Sequence, residues 1–143
     1  MEYDYYFDIG GFEKRLNELI RDYMPAQIYK NDVHITDDGR EIIEFFSTDD
    51  NMEPFGRLEI CVRDIPFFNE HKERKTYARY RFDLYQGADS EPERVEVERT
   101  YSNRELSKNK EVSDETIEAL IEGIQDKLSE NIHINKNQQK LFK

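Results

Sequence analysis

The chain has 143 residues and a formal net charge of −11; 37% of its residues are charged, 36% hydrophobic and 13% aromatic. That length suits one core, and 9 Tyr and 9 Phe argue against a disordered chain, which would be poor in aromatics. No apolar run approaches the roughly 18 residues of a membrane span. The acidic start Met1–Asp8 lacks the profile of a secretory leader, and the lone Cys61 excludes an internal disulfide or multi-cysteine zinc site. A reducing cytoplasm is therefore the expected setting.

The charge is unevenly spread. Residues 1–60 carry net −9, residues 61–86 net +2, residues 87–130 net −7 and residues 131–143 net +3. An acidic balance of this kind disfavours direct contact with a nucleic-acid backbone or an anionic membrane surface and favours a basic protein partner.

Along the chain, residues 1–10 read as an acidic, aromatic arm ended by Gly10-Gly11. Phe12, Leu16, Leu19, Ile20 and Tyr23 then recur at helical spacing, which predicts a helix from about Gly11 to Met24, stopped by Pro25. Residues 27–36 and 40–48 read as strands joined by a turn at Asp37-Asp38-Gly39. Val33 and Ile35 are expected on the apolar face of the first strand, and Ile43 and Phe45 on that of the second. Leu58, Ile60 and Val62 alternate with Arg57, Glu59, Cys61 and Arg63 over a third strand, residues 57–65. The fourth, Lys75 to Tyr85, is the strongest: Thr76, Ala78, Tyr80, Phe82 and Leu84 face one way, while Lys75, Tyr77, Arg79, Arg81, Asp83 and Tyr85 face the other. Val95, Val97 and Tyr101 point inward from a fifth strand, residues 95–101. Ser113 followed by Asp114 and Glu115 reads as a helix cap. The stripe Ile117, Leu120, Ile121, Ile124 and Leu128 predicts a second helix over 114–130, with 131–143 a flexible, basic tail.

Short links between strands favour an antiparallel meander. The expected fold is therefore α+β: a single domain over 11–130 with a five-stranded antiparallel sheet and an N-terminal and a C-terminal helix packed on one face.

No enzyme motif is present: neither a nucleophile elbow, a phosphate loop, a zinc-binding His pair nor a complete calcium loop. Asp49, Asn51 and Glu53 have calcium-like spacing but lack the glycine and closing glutamate. His34, His71 and His133 are far apart, and Cys61 has no histidine beside it to form a thiolate. No catalytic residue, cofactor or metal is nominated. The charged sheet face reads as cross-strand ion pairs, with a Tyr/Arg surface anchored by Tyr77 and Tyr85 as the sharper alternative.

The nominated feature is acidic. Glu115, Glu118, Glu122 and Asp126 share one helix face at a spacing of about 5–6 Å, comparable to the phosphate spacing of roughly 3.4 Å along a DNA strand. The turn acids Asp37 and Asp38, the loop acids Asp49 and Asp50, and the arm residues Asp4, Tyr5 and Tyr6 are expected to extend this surface. The implied function is a non-enzymatic inhibitor occupying the basic, nucleic-acid-binding surface of a partner enzyme or nuclease, as DNA-mimicking anti-restriction and anti-CRISPR proteins do. An immunity protein against a toxin nuclease and a homo-oligomerising interaction domain are the alternatives.

Overall fold

The computed structural model describes residues 7–23, 26–47, 53–65, 75–85, 91–102 and 109–141. The elements are α1 (Ile9–Ile20), β1 (Ile28–Lys30), β2 (His34–Ile35), β3 (Glu41–Ser47), β4 (Glu53–Ile65), β5 (Lys75–Leu84), β6 (Glu93–Ser102) and α2 (Asn109–Leu141). All strand pairs are antiparallel, in the order β1-β3-β4-β5-β6, with β2 also beside β3. Both helices cover one face of this open sheet, giving the expected α+β two-layer fold.

The alternation of β5 sets the two faces. Thr76, Ala78, Tyr80, Phe82 and Leu84 are buried, and the residues between them are half-exposed. Ile43, Phe45, Leu58, Ile60 and Val95 join the buried set from neighbouring strands. From the helices come Phe12, Leu16, Leu19 and Ile20, and Ile117, Leu120, Ile121, Ile124 and Leu128. Each such side chain contributes roughly 1.5–3 kcal/mol before entropy is subtracted. Close packing sets two glycines. A Cβ on Gly56 would lie 2.5 Å from the Phe82 ring, and one on Gly123 would lie 2.5 Å from Val95 Cγ1.

Gly10 and Gly11 do not break the chain; they form the first turn of α1. Asp8 is the N-cap, and its Oδ1 accepts a hydrogen bond from the Gly11 N–H at 2.9 Å. Phe7, just before the cap, packs on Phe12 and on Tyr80, with ring centroids 6.0 and 5.1 Å apart. This hydrophobic staple draws the end of the expected arm into the core. Ser113 likewise is no cap. It is buried four residues inside α2, and its hydroxyl accepts the Asp8 N–H at 2.9 Å. α2 begins earlier than the Ser113 signal implies and continues through 131–141, where the sequence contains no Gly or Pro to stop it.

The predicted first strand is split. Register slips by one residue between Lys30↔Phe45 and His34↔Ile42, so residues 31–33 bulge. Val33 and Ile35 are exposed, Ile35 by 65% even though its pairing with Glu41 sets it on the Ile43 face, outside the buried set. A second bulge lies in β4 opposite Phe45 and Phe46.

α1 closes the β1 edge of the sheet. The Asn17 side chain accepts the Ile28 N–H at 2.7 Å and donates to the Ile28 carbonyl at 3.0 Å, as a neighbouring strand would. A Glu13 carboxylate oxygen accepts the Lys30 N–H at 2.8 Å. Satisfied edge groups cannot recruit another strand. Asn17→Ala is therefore expected to lower unfolding free energy by about 1–3 kcal/mol in urea denaturation, and Asn17→Asp to lose the donated half of the contact. Wild-type stability in Asn17→Ala would show that water replaces the amide without cost.

Candidate functional site

α2 presents a row of carboxylates directly away from the core. Its buried positions run Ser113, Thr116, Ile117, Leu120, Ile121, Ile124 and Leu128; Glu115, Glu118, Glu122 and Asp126 occupy the opposite side and are exposed. The four differ in what they do. Glu118 is clasped by Arg15 of α1, with Arg15 Nε 2.5 Å from Oε1 and a terminal nitrogen 3.0 Å from Oε2. Arg15 also donates to Glu18 at 2.7 Å. The hydrogen bonds from Arg15 hold the Glu118 carboxyl below the usual range. Glu118 thus ties the two helices together. Among the described residues, no ion pair engages Glu115, Glu122 or Asp126. Lys127, beside the row in sequence, reaches instead to Glu93 of β6 at 3.7 Å.

Three contacts fix the direction of this row. Asp8 N–H meets Ser113, Arg15 meets Glu118, and the Tyr23 hydroxyl lies 2.8 Å from Ser129 Oγ. Residue number rises along both helices together, so α1 and α2 run the same way. Beneath α2, buried hydroxyls of Tyr80, Tyr101 and Thr116 are linked at 3.4 and 3.2 Å.

The turn acids lie apart from this row. Asp37 and Asp38 sit at the β2–β3 turn, whereas α2 packs over β6 and β5. Three strand spacings, about 14 Å, separate β3 from β6. Asp38 is also engaged: it accepts from the Thr36 hydroxyl and pairs with Arg40 at 3.0 Å, and both partners hold its carboxyl below the usual range. Asp4, Tyr5, Tyr6, Asp49 and Asp50 lie outside the described residues.

The open sheet face carries an ion network. Arg40 pairs with Glu59 at 2.9 Å; Arg79 lies 4.0 Å from both Glu59 and Glu96; Arg81 reaches Glu96 at 3.2 Å. Arg94 pairs with Asp83 at 2.9 Å, and Arg57 stands 3.9 Å from Glu44. The Tyr85 hydroxyl donates to Glu44 at 3.4 Å. Burial first, then a hydrogen bond to Glu98, raises the Tyr77 hydroxyl above its usual range. The tyrosines that would anchor a stacking surface thus have their hydroxyls tied to glutamates. Cys61 belongs to this face yet is 7% exposed, so it is covered by its neighbours rather than being an accessible strand residue. His34 is exposed.

The concave site formed by described residues offers little chemistry. A polar groove of about 490 Å³ lies between α1 and residues 26–27, lined by Lys14, Asn17, Glu18, Arg21, Ala26 and Gln27. Asn17 there is committed to β1, and Glu18 to Arg15. Among the described residues, no three His, Cys, Asp or Glu side chains gather as a metal site requires, and no helix is long and apolar enough to cross a membrane. Sequence reasoning missed Arg15: its partner is 103 residues away, and no local spacing announces such a contact. No protein-family model, curated protein or solved structure matches the chain.

The clasp has a pH signature. Its glutamate titrates below the ordinary value near 4.5, so the stabilisation is complete above that value and is lost as pH falls through the lowered one. Arg15→Ala should cost about 0.2–1 kcal/mol near neutrality, as exposed pairs do. The gap from wild type should close in acid, as read by urea denaturation between about pH 7 and pH 2. A gap independent of pH would assign the loss to the Arg15 stem instead.

Proposed function

We propose that the protein acts by occupying the basic surface of a partner, without converting a substrate. The observation that carries this reading is the outward row on α2, where Glu115, Glu122 and Asp126 stand exposed beside the clasped Glu118. Like charges one turn apart cost a helix roughly 0.2–0.5 kcal/mol per pair, and among the described residues no ion pair offsets that cost at these three. A rigid row of negative groups complements a groove shaped for phosphates, steering association and excluding nucleic acid from it. A nucleic-acid-binding enzyme or nuclease is the partner class this fits, in the manner of DNA-mimicking inhibitors and nuclease immunity proteins. The cytoplasm, where such enzymes work, is the proposed setting.

The reading narrows the sequence expectation to the helix, because Asp37 and Asp38 stand at the far edge of the sheet. It is tested by capture from a cell lysate at about 50 and 500 mM salt, using wild type and Glu122→Lys/Asp126→Lys as baits. A basic, nucleic-acid-binding protein held by wild type at low salt, released at high salt and displaced from its nucleic acid by the free chain is the expected result. Equal capture by the reversed variant removes the mechanism.

A further inference from the structure

The two edges of the sheet differ. At the β1 edge, α1 occupies the outward backbone groups, and residues 31–33 interrupt the strand. β6, at the other edge, keeps an unbroken register with β5 over all 10 of its residues. The Tyr85 N–H donates to the Phe55 carbonyl at 3.0 Å. Odd-numbered residues of β5 therefore turn their backbone groups to β4, and even-numbered ones turn theirs to β6. Through the β5–β6 register, it is the odd-numbered residues of β6 that answer them. Arg94, Glu96, Glu98 and Thr100 consequently aim N–H and C=O away from the sheet. Among the described residues, no strand and no hydrogen bond meets those groups. A regular open edge of this length is a template for another strand.

The side chains specify which strand fits. Arg99 lies on the helix-covered side of β6, opposite buried Ala78, and its Nε is buried without an acceptor among the described residues. Glu91, just ahead of β6, is exposed. A second β6 laid antiparallel, with a two-fold axis at Val95, sets Glu91 against Arg99 of the other copy, twice by symmetry. In the same register Arg94 faces Glu96, and each such pair exchanges both backbone hydrogen bonds. The open face then carries a row of alternating sign across the joint: Glu59, Arg81 and Glu96 of one copy, then Arg94, Asp83 and Arg57 of the other. This row continues the pairs Arg81–Glu96 and Arg94–Asp83 within each chain and breaks neither. Neighbouring registers lack the match. With the axis at Glu96, that carboxylate meets itself; with the axis at Val97, Glu96 meets Glu98.

We propose that a second copy of this chain adds to the sheet along β6, joining two six-stranded sheets across a two-fold axis at Val95. Charge complementarity commits the occupant, because β6 matches its own reversed copy in sign at both charged positions. Backbone pairing supplies the attraction, the charges select the register, and the Arg99 guanidinium gains a carboxylate. The surface is the sheet edge and not the outward row on α2, so this inference stands apart from the proposed function.

The test uses the full chain alone. Sedimentation equilibrium at about 150 mM salt should find a monomer–dimer equilibrium. Glu96→Pro deletes an outward N–H that β5 does not use. It should weaken the dimer at least about tenfold beyond Glu96→Ala while unfolding in urea close to that variant. Glu91→Arg and Arg99→Glu, each made singly, should weaken the dimer about five- to tenfold. The two together restore the pairing and should return the constant to within about twofold of wild type. In a Cys61→Ala background, Val95→Cys should form an interchain disulfide faster than Glu96→Cys, because residue 95 meets itself on the axis at a spacing a disulfide can bridge. A chain monomeric at all concentrations, equal dimers for Glu96→Pro and Glu96→Ala, a swap that fails to restore the constant, or faster crosslinking at 96 than at 95 would each overturn the proposal.

Discussion

One strand imposes the order of the molecule. The even-numbered side chains of β5 are buried without exception from Thr76 to Leu84, and the odd-numbered ones are ionic or tyrosyl. A sheet with such a strand in its interior has one face that must be covered and one that water can solvate. Two amphipathic helices, far apart in sequence, meet on the first face; arginines and glutamates from four adjoining segments pair on the second. The described network on the open face pairs its arginines with carboxylates and ties Tyr77 and Tyr85 to glutamates, so it resembles support more than recognition. The proposed recognition surface lies on the far side of the helix layer.

There the clasp between Arg15 and Glu118 divides the acids by role. One carboxylate is spent on joining α1 to α2, and through α1 on the edge strand β1, because the same helix holds Ile28 and Lys30 with Asn17 and Glu13. The clasp also fixes the rotation of α2 about its axis. Glu115, Glu122 and Asp126 are thereby held outward on a rigid element, which is how a charged surface keeps its affinity from being lost to the ordering of loops. Like charges at this spacing cost a helix stability, and among the described residues no ion pair offsets that cost, which is the basis for proposing a functional surface.

Much of the fold is legible in the residues themselves. Periodicity places both helices and the four longer strands, and alternation assigns the faces of β4, β5 and β6, because both signals are local and the burial they report is nearly complete. Where local signals compete with long-range contacts, they mislead. Gly10-Gly11 reads as a break but is the turn that admits the Asp8 cap; Ser113 reads as a cap but is buried to receive the Asp8 N–H. Val33 and Ile35 alternate correctly, and Ile35 even pairs with Glu41 on the Ile43 face, yet the edge segment that carries them stays in water. For the candidate surface, the acidic row is visible as a helical repeat, whereas neither the loss of Glu118 to Arg15 nor the separation of Asp37 and Asp38 from the row has any local trace. Those are properties of strand order and helix direction.

The central claim is that the outward row on α2 serves recognition and not stability. The most direct measurement is the unfolding free energy of Glu115→Gln/Glu122→Gln/Asp126→Asn against wild type in urea at neutral pH and low salt. If the row is held at a cost to the fold, neutralising it leaves stability unchanged or raises it by roughly 0.2–0.5 kcal/mol for each repulsion removed. A fall of more than about 1 kcal/mol would mean that these carboxylates hold the structure together, and the account would fail.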